Sequence, residues 1–513
     1  MKTIKIKFIY KAIFLLLAVS IVSCTKLDEK VFDEAMDTSL IDDPANAPGL
    51  VNPAYASLRN LCEFWGTWGL QEATTDEAMF PTRGTDWYDN GIWQQDHLQT
   101  WTPEHGHVGG AWNVILQGIS RANTGIYYLS QFPSTSEIDG YIVELRFLKA
   151  YYVYLSNDFY GQTPYREWDE TDYSTPPKVL NREDATQWLI SELKEIIPLM
   201  KTKAEIPYGR ATKAAAQTLL AKVYLNQEVY TGTAAWDDVI TQCDAVINSG
   251  DYSITPDYWA QFQYDNPDTQ EAIFTFIRND NYDLGGGGVW VNFTLHYNQT
   301  FGNYTSLWNG GCITKTFWET WENTDDADVR KYDERIRATT GLNQGFLVGQ
   351  QYSIDGEALE TRDGAPLIFV PDVNLANASE AEGIRCIKYA PNPQTTRQFD
   401  AGNDFYAFRI SDVYLMRAEA EVRSGTGDAL SDVNAIRSNR NATPRTTLML
   451  DDIYNERGYE LYWEGKRRQD MIRFGHFTDA FSEKPATDAH VCLLPIPQSA
   501  LDVNPNLVQN PGY

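Results

Sequence analysis

The sequence predicts a mainly α-helical protein: a scaffold of stacked helical pairs, interrupted by long irregular loop insertions and edged with a few short strands. Three observations lead there. Apolar residues recur at alternating spacings of three and four through residues 108–250 and again through 405–474, which lays an apolar stripe along each helix. Residues 251–403 lose that stripe and fill instead with Gly, Asn, Asp and aromatics. Hydrophobic residues make up 43% of the 513, enough for a sizeable core and too many for wholesale disorder.

Residues 1–23 read as a leader: lysines first, then an apolar run too short for a comfortable membrane span. It ends in Ile21-Val22-Ser23-Cys24, which resembles a bacterial lipobox. That resemblance implies cleavage before Cys24 and a diacylglycerol on its sulfur, so the lipidation site is Cys24. Residues 24–43, polar and acidic, suit a tether from that anchor. Lys+Arg number 42 against Asp+Glu 70, for a net charge of −28, and cleavage would remove Lys2, Lys5, Lys7 and Lys11 as well. Such a surface repels phosphate backbones and anionic lipid, so nucleic acid and a polybasic membrane patch are excluded as partners. The cysteines beyond Cys24 are Cys62, Cys243, Cys312, Cys386 and Cys492, odd in number and without CxxC spacing. A disulfide framework or a zinc site is not expected from them.

From residue 44 to 250 the pattern is helical. Val108, Trp112, Ile115, Ile119, Ala122, Ile126 and Leu129 draw one stripe; Leu145, Leu148, Tyr152, Leu155 and Phe159 draw the next; Leu189, Leu193, Ile196 and Met200 follow a predicted Asn181 cap. Residues 211–230 are strong helix formers, and 234–250 add a second amphipathic helix with Gly250 as C-cap. Ala221, Tyr224 and that second helix resemble a tetratricopeptide pair, and similar pairs start near Ile142 and Asp412. These are degenerate tetratricopeptide-like repeats, which bury their stripes only by stacking on neighbours. Residues 251–513 form the second region, with the insertion at 251–403. Within it only 271–279 and 366–373 read as strands. After it, residues 451–474 read as one helix, with Asp451 and Asp452 at its start and Lys466, Arg467 and Arg468 at its end, as the helix dipole favours.

Several stretches together carry a resemblance. They are ELRFLKAYYVYLSNDFYG from Glu144, FRISDVYLMRAEAEVRSG from Phe408, NERGYELYWEGKRR from Asn455 and the closing NPNLVQNPGY. In this order the chain resembles the SusD/RagB family of outer-membrane lipoproteins. The resemblance implies a SusD-like α/α fold and a lipid-anchored, surface-exposed place on the outer membrane. It implies a glycan-binding role without catalysis: oligosaccharides are captured and delivered to a SusC-like TonB-dependent transporter.

Ligand contacts are read from residue chemistry alone. A sugar offers a flat C–H face and a rim of hydroxyls, so it is met by Trp or Tyr rings flanked by Asp, Asn and Arg. Residues 81–101 offer Arg83, Asp86, Trp87 and Trp93; residues 289–312 offer Tyr304, Trp308 and Asn309, with Trp290 and Tyr297 beside them. Tyr406 and Arg385 complete the candidates. Catalytic patterns are missing: no HExxH, Walker A or GxSxG occurs. No catalytic residue, metal ligand or cofactor is therefore expected. His105 and His107 are read as residues of a loop or helix start, and a structural calcium at 323–328 would lack the EF-hand's Gly and terminal Glu. The competing readings are a surface glycoside hydrolase, a RagB-like peptide binder and a scaffold lipoprotein.

Overall fold

The computed structural model describes residues 43–513 except 267–268, 279–289, 323, 326, 397–398 and 400–401. The leader, the proposed lipidation site at Cys24, most of the tether, the 285–288 glycine run and two positions of the considered calcium loop lie outside the described residues. Residues Met1–Asn46 fall in one unit, of which only Asp43 and a 3₁₀ turn at Pro44–Asn46 are described; Ala47–Tyr513 forms the other.

The longer helices of the Ala47–Tyr513 unit are α1 (Ala47–Leu58), α2 (Gly106–Leu129), α3 (Ser136–Tyr160), α4 (Arg182–Ile196), α5 (Lys213–Leu225), α6 (Trp236–Ile247), α7 (Ile410–Ser424), α8 (Ala429–Asn439), α9 (Leu450–Leu461) and α10 (Arg467–Phe474). Each of α1 to α7 packs against the next, and α8 and α9 both pack on α7. The stack thus continues from α6 to α7 as though residues 248–409 were absent. Stripe residues do the packing, as the periodicity predicts: Val108, Trp112, Ile115 and Ile126 of α2 are buried, as are Leu145, Leu148 and Tyr152 of α3. Val433 and Ile436 of α8 meet Leu415 and Ala418 of α7 and Ile453 of α9 in one cluster. Asn181 caps its helix as predicted, its Oδ1 accepting from the Asp184 N–H at 2.9 Å, whereas α6 is C-capped by Asn248 rather than by the expected Gly250.

The strands are short. Ala272–Phe276 pairs antiparallel with Phe405–Arg409, joining the start of the insertion to its end. Ile368–Phe369 pairs with Gly349–Gln350, and Tyr332–Asp333, Gln344–Leu347 and Arg385–Ile387 form a three-stranded sheet. A separate apolar cluster, including Leu295, Phe301, Tyr304, Leu307, Leu367 and Ile387, is the insertion's own core.

Two readings are corrected. Residues 251–403 hold more strands than the two expected, with Tyr332–Asp333, Gln344–Leu347, Gly349–Gln350 and Arg385–Ile387 added. Residues 451–474 are two helices, α9 and α10, turned at 462–466, where Trp463 and Gly465 take left-handed backbone with φ of +59° and +70°. The cationic run does not close the first helix; it opens the second, facing inward. Lys466 donates to the Ala407 carbonyl, and Arg467 grips Asp76 through two 2.7 Å bonds. Arg468 donates to the Cys492 carbonyl. At the start of α9 the acidic residues behave as predicted, with Asp452 accepting from the Met449 N–H.

Below α9 lies a buried ionic network. Glu460 receives Arg330, Arg409 and Arg440, while Arg409 also reaches Glu271 and Glu464, and Lys388 reaches Glu464 at 2.7 Å. Arg330 and Lys388 come from the insertion, the others from the strand pair and the helical stack. Burying so many charges is tolerable because each is paired and hydrogen-bonded. The result is an orientation lock between insertion and scaffold.

Candidate functional site

Two loops, more than 200 residues apart in sequence, meet through an antiparallel bridge. Met79 N–H donates to the Cys312 carbonyl at 2.8 Å and Cys312 N–H returns the bond at 2.9 Å. From Met79 the chain enters a tight turn at Arg83-Gly84-Thr85-Asp86, with reciprocal bonds between Arg83 and Asp86. Gly84 carries the positive φ (+63°) that a two-residue hairpin turn demands of its first central residue. Trp87 follows at φ +62°, a conformation rare for a bulky side chain and costing roughly 1–3 kcal/mol. Its indole N–H donates to the Trp308 carbonyl at 2.7 Å, and its ring lies against Gly310. A Cβ at Gly310 would stand 2.1 Å from that ring, so only glycine admits the indole.

These loops, the 63–66 turn before the short helix Thr67–Glu72, and Arg362 enclose an open hollow of about 770 Å³. Trp65, Trp87, Trp308 and Tyr297 line it, with Phe64 and Trp93 as floor. Phe64 and Trp93 are stacked at 5.6 Å and nearly parallel, and Phe64 also contacts Trp87 and Trp308 at 6.0 and 6.1 Å. Rings are thus backed by rings, which fixes their faces without hydrogen bonds to the ligand side. Trp65 is 44% exposed, a large apolar surface left uncovered at the mouth.

Polar groups sit at the rim. Asp86 accepts from the Tyr297 hydroxyl, and Asp89 accepts from the Trp93 indole N–H at 2.9 Å. Burial, reinforced by Asp86, holds the Tyr297 phenol above its ordinary pKa, so it stays protonated as donor. The Arg362 guanidinium lies 3.8 Å from the Tyr297 ring centroid and is paired with Glu380. Burial works to raise the pKa of Glu380, but hydrogen bonds from Arg362 and His296 hold it below the usual range.

The structure thus gathers Asp86, Trp87, Trp93 and Trp308 of the candidates. Trp93 shows little of its ring there, being 4% exposed. Five candidates are corrected. Arg83 is buried, its guanidinium donating to the Ser379 and Glu382 carbonyls. Arg385 is sealed, bonded to the Glu380, Glu382 and Gly383 carbonyls and to Asn309 Oδ1. Asn309 is buried with it, its amide donating to the Glu380 carbonyl. Tyr304 packs on Phe301 inside the insertion core. Tyr406 is buried on the strand pair, its hydroxyl donating to the Asn266 carbonyl at 2.5 Å. Each is a polar or aromatic side chain satisfied by backbone carbonyls or core, partners that a sequence does not display. Trp290 is also interior, stacked on Tyr389 and Phe405.

Residues that sequence reasoning passed over are Trp65, Phe64 and Arg362, while His107, read only as a helix-start residue, also lines the hollow. The signal for the first two was there: an aromatic pair before Gly66, between two helices. His107 approaches the hollow with its ring 4.5 Å from Trp93. His105 and His107 sit at the start of α2, as expected, and with Asp96 they form a buried trio that could hold a metal ion. His107 Nδ1 lies 2.5 Å from Asp96 Oδ2, a hydrogen-bond distance rather than that of two ligands around one ion.

Comparison with known proteins agrees with this architecture. Residues 245–513, more than half of the chain, match the SusD family. The chain belongs to the SusD family. Residues 34–225 also match a SusD-like family described as "Starch-binding associating with outer membrane". The starch-binding protein SusD of Bacteroides thetaiotaomicron is 26% identical, with 87% of this chain and 85% of that one aligned. A surface glycan-binding protein A of the same species, solved with laminarihexaose, superposes with a TM-score of 0.67 at 21% identity, covering 91% and 99% of the two chains. A laminarin-binding SusD-like protein superposes at 0.71 and 20% identity, covering 92% and 100%. The SusD fold is therefore shared well beyond the reach of pairwise identity, and the mainly helical architecture is that of the family.

Proposed function

We propose that this SusD-family protein is a glycan-binding lipoprotein without catalytic activity, anchored at the outer-membrane surface through Cys24. It captures oligosaccharides in the hollow between the 81–101 and 289–312 loops and passes them to a SusC-like TonB-dependent transporter. The observation that carries this is the hollow itself: four aromatic side chains, Trp65, Trp87, Trp308 and Tyr297, around one opening with Asp86, Asp89 and Arg362 at its rim. Relatives named for binding starch, laminarin and other glycans support the ligand class. An open site with solvent at its rim also fits a carrier, which must release what it holds; such sites give micromolar-to-millimolar affinity.

Against hydrolysis, Asp86 and Asp89 are engaged by Tyr297 and Trp93 as fixed acceptors, an arrangement for holding hydroxyls. Isothermal titration against plant, host and microbial oligosaccharides, run beside a reducing-sugar assay, tests the reading. Binding without turnover is expected. Turnover without stable binding, lost on replacing one carboxylate, would move the protein to the hydrolases.

A further inference from the structure

The rim of the hollow is unbalanced toward acceptors. Asp86 and Asp89 present carboxylates, and Glu380 stands directly behind Arg362. Arg362 is the only Lys or Arg among the described residues that line the opening, and it is already engaged. Its Nε donates to Glu380 Oε1, its Nη2 stands 3.5 Å from Asp86 Oδ2, and its plane covers the Tyr297 ring. Its backbone N–H also donates to Glu380, at 2.9 Å. An anionic ligand would therefore share this guanidinium with Glu380 and Asp86, two negative charges already beside it.

His107 adds a third polar side chain. Its Nδ1 faces the wholly buried Asp96 carboxylate, and a carboxylate can only accept. A proton is therefore assigned to Nδ1, and Nε2 is the ring nitrogen left for a ligand. Nε2 carries no hydrogen bond among the described residues, and the ring edge lines the hollow.

We infer that the hollow selects uncharged, hydroxyl-bearing glycans over uronate or sulfated ones, with His107, held by Asp96, hydrogen-bonding a sugar hydroxyl through Nε2. Hydroxyls donate to such a rim; carboxylates and sulfates only accept, and they bring negative charge to a wall already rich in it. This inference rests on the glycan reading of the hollow.

The test is titration calorimetry of the intact protein with size-matched hexasaccharides. The neutral set is maltohexaose, laminarihexaose, cellohexaose and mannohexaose; the acidic set is hexagalacturonate, hexamannuronate and a heparin hexasaccharide. The best neutral ligand should bind at least roughly tenfold tighter than the best acidic one, with neutral binding indifferent to salt between about 0.05 and 0.5 M. The double variant Asp86→Asn/Asp89→Asn should narrow the neutral-to-acidic ratio by about fivefold or more, because repulsion falls while hydroxyl acceptors remain. His107→Ala should weaken the best neutral ligand by roughly fivefold, with His107→Gln, which keeps a hydrogen-bonding group, falling between, and thermal melts confirming that both fold. Acidic ligands binding as tightly as neutral ones would overturn the selectivity and leave glycan binding intact. No binding to either set would overturn both, and an unchanged His107→Ala would remove the imidazole from the site.

Discussion

The Trp87 indole N–H donates to the backbone carbonyl of Trp308 at 2.7 Å, tying together two residues 221 positions apart. Their ring centroids stand 6.4 Å apart at 48°, so the pair forms a bent wall rather than a flat platform. Trp87 accepts an unfavourable backbone conformation to reach this place, and strain of that kind clusters at ligand sites. Trp87→Ala or Trp308→Ala should weaken glycan binding by about 1 kcal/mol or more, roughly fivefold, in calorimetry. Gly310→Ala should do the same although Gly310 is not among the lining residues, because its Cβ would occupy the space of the Trp87 ring. Wild-type affinity in Gly310→Ala would show that the indole position is unimportant.

Trp65 offers a cleaner separation of binding from stability. It is 44% exposed, so its removal should cost less stability than that of a buried ring, about 1–2 kcal/mol. Glycan affinity should nevertheless fall about fivefold, the scale of one stacked ring. Trp93→Ala makes the opposite pattern. That ring is buried against Phe64 and Phe80, and its loss should cost about 3–5 kcal/mol of stability. Chemical denaturation and calorimetry on the two variants check the contrast.

Much of this architecture is legible in the residues alone. The Val108 to Leu129 stripe announces a helix because mainly one face of it is buried, whereas the Leu145 to Phe159 stripe lies on a helix whose residues 147–160 are all buried. Trp87 and Trp308 stand out because rings in glycine-bearing polar loops lack a helical stripe to join. The misreadings have a common cause. The run Lys466-Arg467-Arg468 resembles a helix end, yet its partners are Ala407, Asp76 and the Cys492 carbonyl, all distant in sequence. Arg385 and Asn309 resemble sugar ligands, yet they satisfy each other and nearby carbonyls. Arg362 lies within the irregular insertion with no pattern around it, and only the fold brings it to Tyr297.

Stability should peak on the acid side of neutrality. Burial, partly offset by Arg278, pushes the Glu63 carboxyl from 4.5 up to about 8. Burial likewise raises Glu77 to about 7, against the pull of Arg467. A carboxyl raised in the folded state keeps its proton there, so its contribution is full below about 4.5 and is lost as pH rises through 7 and 8. Glu464 and Asp470 act oppositely. Burial disfavours their charge, but Arg409 and Lys388 lower the one and Arg457 and Arg473 the other. Their contribution is present above the unfolded value and lost as pH falls through the folded one. Burial lowers His97 from 6.5 to about 4, which opposes the loss from Glu63 and Glu77 up to about 6.5, so denaturation midpoints should decline from about pH 6.5 to pH 8, and Glu63→Gln should flatten that decline. A wild-type midpoint that climbs over the same range would refute the assignment.

The last expectation concerns the lock beneath α9. Glu460 is wholly buried and meets guanidiniums from Arg330, Arg409 and Arg440 at 3.0, 2.6 and 2.8 Å. Taking away its charge leaves three buried cations with fewer counter-charges, a loss on the order of 3–5 kcal/mol. Asp451 lies on the same helix but is exposed, where neutralisation should cost no more than about 0.5 kcal/mol. Arg330 belongs to the insertion and Arg440 follows α8, so Glu460→Gln should also loosen the insertion against the stack. Limited proteolysis should then cut within residues 290–390 at a rate that leaves Asp451→Asn unaffected, and glycan binding should weaken with it because Tyr297, Trp308 and Arg362 all ride on that segment. Equal denaturation midpoints for Glu460→Gln and Asp451→Asn would mean that the network does not hold the site in place.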